Sequence, residues 1–371
     1  MARTIFVAHP SALLTDHRPH GDGLAAFNFV SRLAARGHRL HVVAENVDLT
    51  GPIAGDVTIH RIPPRGRGRP DHQLATAWRI RRALDRVLAG ERVDVVHQLN
   101  PVDVGLTCLL GRGAPPVVLG PYVPSWPRTG HALEQVKDIA HLCQQRRAAA
   151  VLLSTPAAGA KLRSRRPARH ELGFGVDADV FRPADQPRAG RESLTVLFLA
   201  NVQRRKGILD LLRAFAMVDL PACRLVVAGD GPDMAHAREL AESLELGDRI
   251  EFSGRLDRAQ AAEAMRQADL YCLPSHGEPF GISALEAMAS GMPVVGTKAG
   301  GLGHLIRPEG GRAVAPGDPR ALAEALIELL SDDELRRAMG GFNRELVERR
   351  YSWDAVVDEL ESVYDSLSAV S

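Results

Sequence analysis

The sequence predicts an α/β protein made of two parallel-sheet domains, and three observations carry that expectation. Short runs of apolar and β-branched residues alternate with helical patterns along the chain, the rhythm of strand–helix–strand units. At 371 residues the chain exceeds one typical domain. A polar, proline-bearing stretch from Ala184 to Ser193 separates two such series.

In the first series, strands are expected near 4–8, 40–44, 57–62, 94–97, 116–120 and 150–154, with helices near 23–36, 72–89 and 132–149 between them. The second series opens on Thr195–Ala200 and continues through Leu225–Ala228, Ile250–Ser253, Leu270–Leu273 and Val294–Val295. Parallel strands need long crossovers, usually helical, so this alternation describes two sheets rather than hairpins. After Asp318 the patterns are helical to the end, with Tyr351-Ser352-Trp353 preceding the last helix. The expected division is 1–185, 186–352 and a final helix at 353–371. Neither an internal repeat nor a low-complexity tract is present.

Composition narrows the class. With 45% hydrophobic and 25% charged residues the chain reads as globular, and a formal charge of +1 supplies no basic field for nucleic acid. The four cysteines, Cys108, Cys143, Cys223 and Cys272, lack CxxC spacing, which disfavours a disulfide framework or a zinc knuckle. Met1-Ala-Arg-Thr-Ile-Phe-Val-Ala-His9 has a strand pattern rather than a signal-peptide pattern. No run approaches the roughly 20 apolar residues of a membrane span. A cytoplasmic protein is expected.

The chemistry concentrates in residues 270–306. A strand, Leu270–Leu273, leads through a turn into a helix beginning near Gly281, then into a strand at Pro293–Gly296 that ends in Lys298-Ala299-Gly300-Gly301. The helix start offers the backbone N–H groups of Gly281, Ile282 and Ser283 at the positive end of a helix dipole, a site for phosphate. Glu278 precedes that start and Glu286 lies inside the helix, roughly 7 Å along its axis. A ligand with hydroxyls on both sides of a diphosphate, a nucleotide sugar, suits that arrangement.

The run Glu278-Pro-Phe-Gly-Ile-Ser-Ala-Leu-Glu286, with Phe280-Gly281 inside it and Ala287-Met288-Ala289-Ser290-Gly291-Met292-Pro293-Val294-Val295 after it, resembles the signature of the retaining glycosyltransferases of family four. That group includes phosphatidylinositol mannosyltransferases and bacterial glycogen synthases. The resemblance implies the GT-B fold: two Rossmann-like parallel-sheet domains facing a central cleft, with the C-terminal helix crossing back to the first domain. It also implies that the first domain binds the acceptor and the second the nucleotide sugar, without metal or other cofactor.

Residue by residue, the resemblance makes Glu278, Lys206 and Arg205 the catalytic groups. The segment Ala200-Asn201-Val202-Gln203-Arg204-Arg205-Lys206-Gly207 matches a phosphate-clamping Gly-Arg…Arg-Lys-Gly run, except that Asn201 replaces its first Arg. Arg204 or Arg205 is then the substitute, since a guanidinium pairs with phosphate oxygens in bidentate fashion. Further donor contacts fall on Asn201, on Gly229 in the turn Ala228-Gly-Asp-Gly-Pro232, on Arg255 and Leu256, on Phe280, Gly281, Ile282 and Ser283, and on Glu286 at the ribose. Gly300-Gly301 also fits, although the usual acid three positions later is His304 here.

In the first domain, Gly21-Asp22-Gly23 is expected to precede a helix and Gly23 to approach the diphosphate. The family's histidine near Gly120-Pro121-Tyr122 is missing, leaving His97 and Tyr122 to orient acceptor or sugar hydroxyls. Other readings attach to the same residues. Gly21, Gly23 and Ala26, with Glu45 further on, satisfy a dinucleotide fingerprint, but twelve residues separate Gly21 from the expected strand end at Ala8. His9, His17, His20 and Asp22 suggest a metal only by proximity. The arginine-rich stretches Arg61–Arg69 and Lys161–Arg169 read as solvated loops or as a peripheral membrane contact at the inner face. An epimerase of the same fold and a non-catalytic sugar-nucleotide binder complete the rivals.

Overall fold

Runs such as Ile5-Phe6-Val7-Ala8 in the first series and Val196-Leu197-Phe198 in the second have no polar face alternating with an apolar one, so they suit strands covered by helices on both sides. The computed structural model describes residues 2–9, 13–18, 21–63, 72–99, 104–111, 113–123, 132–185, 193–220 and 222–368. Its chain divides into two units, Met1–Gly175 with Trp353–Ser371, and Val176–Ser352.

The first unit contains β1 (Thr4–Ala8), α1 (Gly21–Ala35), β2 (Arg39–Ala44), β3 (Val57–Arg61), α2 (His72–Leu88), β4 (Val95–Gln98), β5 (Val117–Tyr122), α3 (Ala132–Arg147), β6 (Ala150–Leu153) and β7 (Ala168–Glu171). These strands form one parallel sheet in the order β3-β2-β1-β4-β5-β6-β7. A separate parallel pair joins Leu14–Thr15 to Val47–Asp48. The core packs β-branched strand residues such as Val43, Val96 and Val151 against Ile80 and Leu84 of α2.

The second unit contains β8 (Leu194–Leu199), α4 (Ile208–Ala216), β9 (Cys223–Ala228), α5 (Met234–Ser243), β10 (Ile250–Gly254), α6 (Arg258–Gln267), β11 (Leu270–Leu273), α7 (Ile282–Ala289), β12 (Val294–Thr297), α8 (Leu302–Leu305), β13 (Gly311–Val314), α9 (Pro319–Ser331) and α10 (Asp333–Arg350). Its parallel sheet runs β10-β9-β8-β11-β12-β13. Buried polar groups tie α10 to this sheet: Asn343 Nδ2 donates to the carbonyls of Met292 (2.8 Å) and Gly310 (2.7 Å).

The last helix, α11 (Trp353–Ser368), belongs to the first unit. Trp353 meets Phe29 edge-on at 5.1 Å, and the Arg36 guanidinium donates to Asp358 and Glu361, each at 2.5 Å. A Cβ on Gly175 would fall 2.5 Å from the Trp353 ring. Only glycine lets the chain pass there.

Three sequence expectations need revision. The chain changes unit at Gly175–Val176 rather than near 185, because the Val176 N–H donates to Tyr351 O (2.8 Å) and Arg344 Nη1 donates to the carbonyls of Ala178 and Phe181 (3.0 and 3.1 Å). The remainder of the expected linker, 186–192, lies outside the described residues. Helix α1 begins at Gly21, so Gly21–Gly23 form its first turn instead of preceding it. Strands β7 and β13 are additional, and both stand at sheet edges, where charged residues such as Glu171 and Arg312 discourage further pairing.

Candidate functional site

The strand order of the second sheet reverses between β8 and β11, and open α/β sheets hold ligands where the strand ends diverge at such a point. The segment leaving β8 carries Lys206, and the segment leaving β11 carries Glu278. Lys206 Nζ lies 2.5 Å from Glu278 Oε2, with only 15% and 10% of the two side chains exposed.

Local backbone geometry explains how two loops present charges so close together. Arg204–Lys206 form a single 3₁₀ turn ended by Gly207 in the left-handed region (φ 77°), from which α4 starts. A Cβ on Gly207 would stand 1.9 Å from the Pro274 carbonyl, so the two segments touch through backbone alone. Glu278 is held from the other side: it forms a parallel bridge with Gly300, and Gly301 N–H donates to its carbonyl at 2.7 Å. The glycine pair read in the sequence therefore serves the backbone of Glu278.

Helix α7 starts behind Gly281 (φ 95°), which supplies no capping side chain. Phe280 is buried, its ring edge-on to Tyr351 at 6.5 Å, while Ile282 and Ser283 stay partly exposed. The buried Tyr271 phenol bridges the Leu199 carbonyl (3.0 Å) and the Ser283 hydroxyl (2.7 Å). A carbonyl only accepts, so the phenol donates to Leu199 and receives from Ser283. Burial keeps this phenol protonated well above its ordinary range.

Glu286 projects from the second half of α7 into desolvated surroundings that push its carboxyl up to about 7, with the Arg258 guanidinium pulling the other way. The residue itself retains partial exposure. Arg258 also donates to Asp177 at 3.0 Å.

The remaining donor-contact candidates frame the same edge. Gly229 N–H donates to Gly254 O at 2.7 Å, and the Asn201 side chain lies against Gly231, its Oδ1 2.4 Å from where a Cβ would stand. Arg255 is exposed and Leu256 half-buried just beyond β10. Of the two arginines before Lys206, Arg204 is engaged by Asp233 (2.8 Å from its N–H, 3.3 Å from Nε) and lies 3.0 Å from His236. Arg205 is exposed, and its Nε donates to Gln203 at 2.7 Å. His304 sits half-buried in α8.

Gly23, His97 and Tyr122 belong to the first unit. His97 is buried, with Nδ1 2.6 Å from the Tyr364 hydroxyl and Nε2 3.0 Å from the Gly120 carbonyl. Since the carbonyl can only accept, Nε2 carries the proton and the phenol donates to Nδ1. Burial pushes this imidazole down to about 4. Both nitrogens are committed inside the unit, which corrects the expectation that His97 orients a hydroxyl. Tyr122 is likewise buried, edge-on to His141 at 5.4 Å, with its phenol pushed up by burial. Gly23 is buried in the first turn of α1. Glu45 accepts from Thr76 at 2.9 Å. His9 Nε2 lies 3.2 Å from Leu13 O and His17 2.8 Å from Asp16, whereas His20 lies outside the described residues. Among the described residues no group of three or more His, Cys, Asp or Glu is placed to hold a metal.

Sequence reasoning missed Asp210, Tyr271 and His276. Tyr271 sits within an apolar strand and Asp210 in an amphipathic helix, so neither breaks its pattern. His276, two residues before Glu278, was the visible signal: its ring lies 2.5 Å from Asp210.

Residues 183–346 match the family model described as glycosyl transferases group 1, and residues 21–171 match glycosyltransferase family 4. The chain is 39% identical over 207 residues to the phosphatidyl-myo-inositol mannosyltransferase of Mycobacterium leprae, covering 53% of this chain and 54% of that protein. It is 34% identical over 171 residues to the N-acetyl-alpha-D-glucosaminyl L-malate synthase of Bacillus anthracis, covering 46% and 44%. The chain thus spans about half the length of the curated relatives it matches. Sucrose-phosphate synthase from Thermosynechococcus elongatus superposes with a TM-score of 0.76 at 22% identity over 100% of both chains. Anabaena HepE in complex with UDP gives 0.73 at 18% identity over 98% of this chain and 100% of that one. At such identities the likeness establishes the fold, the two-domain GT-B arrangement of Rossmann-like sheets. The first unit thus carries a glycosyltransferase family 4 match and the second a glycosyl transferases group 1 match, so each unit is a glycosyltransferase-family domain.

Proposed function

We propose that the protein transfers a sugar from a nucleoside-diphosphate sugar to a hydroxyl acceptor, with retention of configuration and without a metal ion. The observation that carries the reading is the meeting of Lys206 and Glu278 at the switch point of the second sheet, next to the start of α7. Lys206, Arg205 and the α7 backbone N–H groups stabilise the departing diphosphate, where fixed positive groups in a water-poor site act most strongly. Glu278 takes sugar hydroxyls and Glu286 the ribose. Asn201, Gly229, Arg255 and Leu256 enclose the nucleotide, while Phe280 packs beneath the cradle. The acceptor attacks from the face the diphosphate vacates, and a phosphate oxygen receives its proton. A uridine nucleotide is the first donor to try, since HepE is described as a complex with UDP and with UDP-glucose.

Contact with an anionic membrane surface is a further part of this reading. Helix α2 exposes Leu74 and Trp78 at 53% and 50%, with the Arg82 guanidinium 3.8 Å above the Trp78 ring. Aromatic and arginine side chains together suit a lipid interface. Most of the arginine-rich stretch 61–69 lies outside the described residues, and among the described residues no helix is long and apolar enough to cross a membrane. Flotation with phosphatidylglycerol vesicles tests it, and recovery in the bottom fraction rejects it.

The decisive experiment is a thermal-shift screen against UDP, GDP, ADP and their sugars. A ligand that binds the folded state raises its melting temperature, by about 2.7 kcal/mol of stability at a hundredfold excess over Kd. The expected result is a shift for one nucleotide series, followed by acceptor-dependent release of that diphosphate. No shift with any of them rejects the reading. Sugar interconversion without acceptor favours an epimerase, and binding without turnover a non-catalytic relative. A shift with NAD alone favours the dinucleotide alternative.

A further inference from the structure

The segments that carry Lys206 and Glu278 are joined by a clasp lying just outside the pair. The Arg205 carbonyl accepts two hydrogen bonds from the segment after β11, from Ser275 Oγ at 3.0 Å and from the His276 N–H at 2.8 Å. Ser275 is itself fully buried, and its carbonyl accepts from Thr297 Oγ1. The His276 ring then reaches across to α4, where Nε2 lies 2.5 Å from Asp210 Oδ2. Asp210 Oδ1 in turn lies 3.6 Å from Arg213 Nη1. Arg205 precedes Lys206 by one residue, and His276 precedes Glu278 by two.

Each link has a different character. The Gly207–Pro274 approach is backbone packing, and the Arg205 carbonyl is reached by a buried serine and a backbone amide. The imidazole–carboxylate bond spans from the Glu278 segment to the body of α4, one turn beyond Lys206. Its acceptor is partly shielded, with 15% of the Asp210 side chain exposed against 45% for His276. A charged acceptor makes such a bond roughly twice as strong as a neutral one.

We propose that His276 is a positioning residue for sugar transfer: its ring, bonded to Asp210, holds the Glu278 segment against the Lys206 segment. Neither His276 nor Asp210 touches the donor in this scheme. The proposal rests on the reading of Lys206 and Glu278 as the donor-handling pair, and it assigns the spacing of that pair to a side-chain bond outside it.

The test uses the full chain and four variants: His276→Ala, Asp210→Ala, the double variant, and His276→Gln, whose amide N–H can still reach the carboxylate. Crystal structures of each give the Lys206 Nζ–Glu278 Oε2 distance directly, whether or not a donor is known. The pair is expected to open in both single alanine variants, to open no further in the double variant, and to stay closed in His276→Gln. Calorimetry with UDP and diphosphate release from UDP-glucose supply the second readout. Because displacing a reacting group by about 1 Å can cost 10²-fold in rate, kcat is expected to fall about tenfold or more in the alanine variants while UDP affinity changes less than about twofold. His276→Gln restores most of the rate. An unchanged Lys206–Glu278 distance in both alanine variants overturns the proposal, as does lowered thermal stability with unaltered kcat. If wild-type protein neither binds UDP nor cleaves UDP-glucose, the functional reading fails for that donor and the distances alone decide the clasp.

Discussion

Lys206 Nζ and Glu278 Oε2, 2.5 Å apart, meet across the point where the second sheet reverses its strand order. Seventy-two residues separate them in the chain, yet each is the counter-charge of the other in a place mostly shut off from water. The two roles assigned to them, leaving-group stabilisation and sugar binding, are therefore electrostatically linked before chemistry begins.

Replacing either partner tests both consequences of that link. Lys206→Ala and Glu278→Ala are each expected to lower transfer by about 10²–10³-fold, the range found when one transition-state partner is lost. Each also strands a desolvated charge, which costs about 2–4 kcal/mol after allowance for the remaining exposure. The double variant is expected to be more stable than either single one. Urea unfolding checks this, and strictly additive losses would show that the pair contributes no coupling.

The Glu286 carboxyl, lifted to about 7 by burial, makes the second unit sensitive to pH. A group whose folded pKa lies above its unfolded value of 4.5 holds its proton more tightly in the native chain. Its contribution is accordingly most favourable below 4.5, is lost as pH climbs toward 7, and is flat beyond. The total is on the order of 3 kcal/mol. Glu286→Gln is expected to remove this part of the slope between pH 5 and 7. Parallel stability curves for the two proteins would contradict it.

His97 acts in the opposite direction. Burial depresses its imidazole from 6.5 to about 4, so the native chain binds fewer protons than the unfolded one between those values. Stability present above pH 6.5 is lost as pH falls toward 4. His97→Leu removes the ring's bonds to the Tyr364 hydroxyl and the Gly120 carbonyl, at a cost of about 2–4 kcal/mol near pH 7.5. The gap between wild type and variant is expected to narrow by pH 5. A ring titration observed by NMR near 6.5 in the folded protein would refute the assignment.

The parts of this fold legible in the sequence are those governed by local pattern. The central strands are apolar runs covered on both faces, and the expected second-series strands all appear within a few residues of their places. The edge strands β7 and β13 escaped because Ala-Arg-His-Glu and Gly-Arg-Ala-Val are half-solvated and carry no apolar period. At the site, the Glu278–Glu286 run was readable because a turn, a glycine cap and a helix follow one another in the chain. The bond from His276 to Asp210 joins residues 66 positions apart and depends on which strands become neighbours. His97 shows the limit of strand-end reasoning: it stands on a strand near its carboxyl end, but α11 brings Tyr364 against it from the far end of the chain.

Gly300 gives a steric test of how Glu278 is held. Its φ of 68° already disfavours any side chain, and an added Cβ would stand 2.2 Å from the Glu278 carbonyl, too close for either backbone to remain. Gly317, in the same unit, has a φ of 74° but open space around it. The conformational penalty alone, about 1–2 kcal/mol, is common to both positions. Gly317→Ala should lose that stability and keep its turnover. Gly300→Ala adds the clash, so the Glu278 segment must shift, and a displacement of about 1 Å is enough to lower transfer by about 10²-fold. The comparison separates backbone strain from site geometry, because strain is matched and only the contact differs. Equal turnover in the two variants would mean that the bridge between Glu278 and Gly300 does not set the position of the carboxylate.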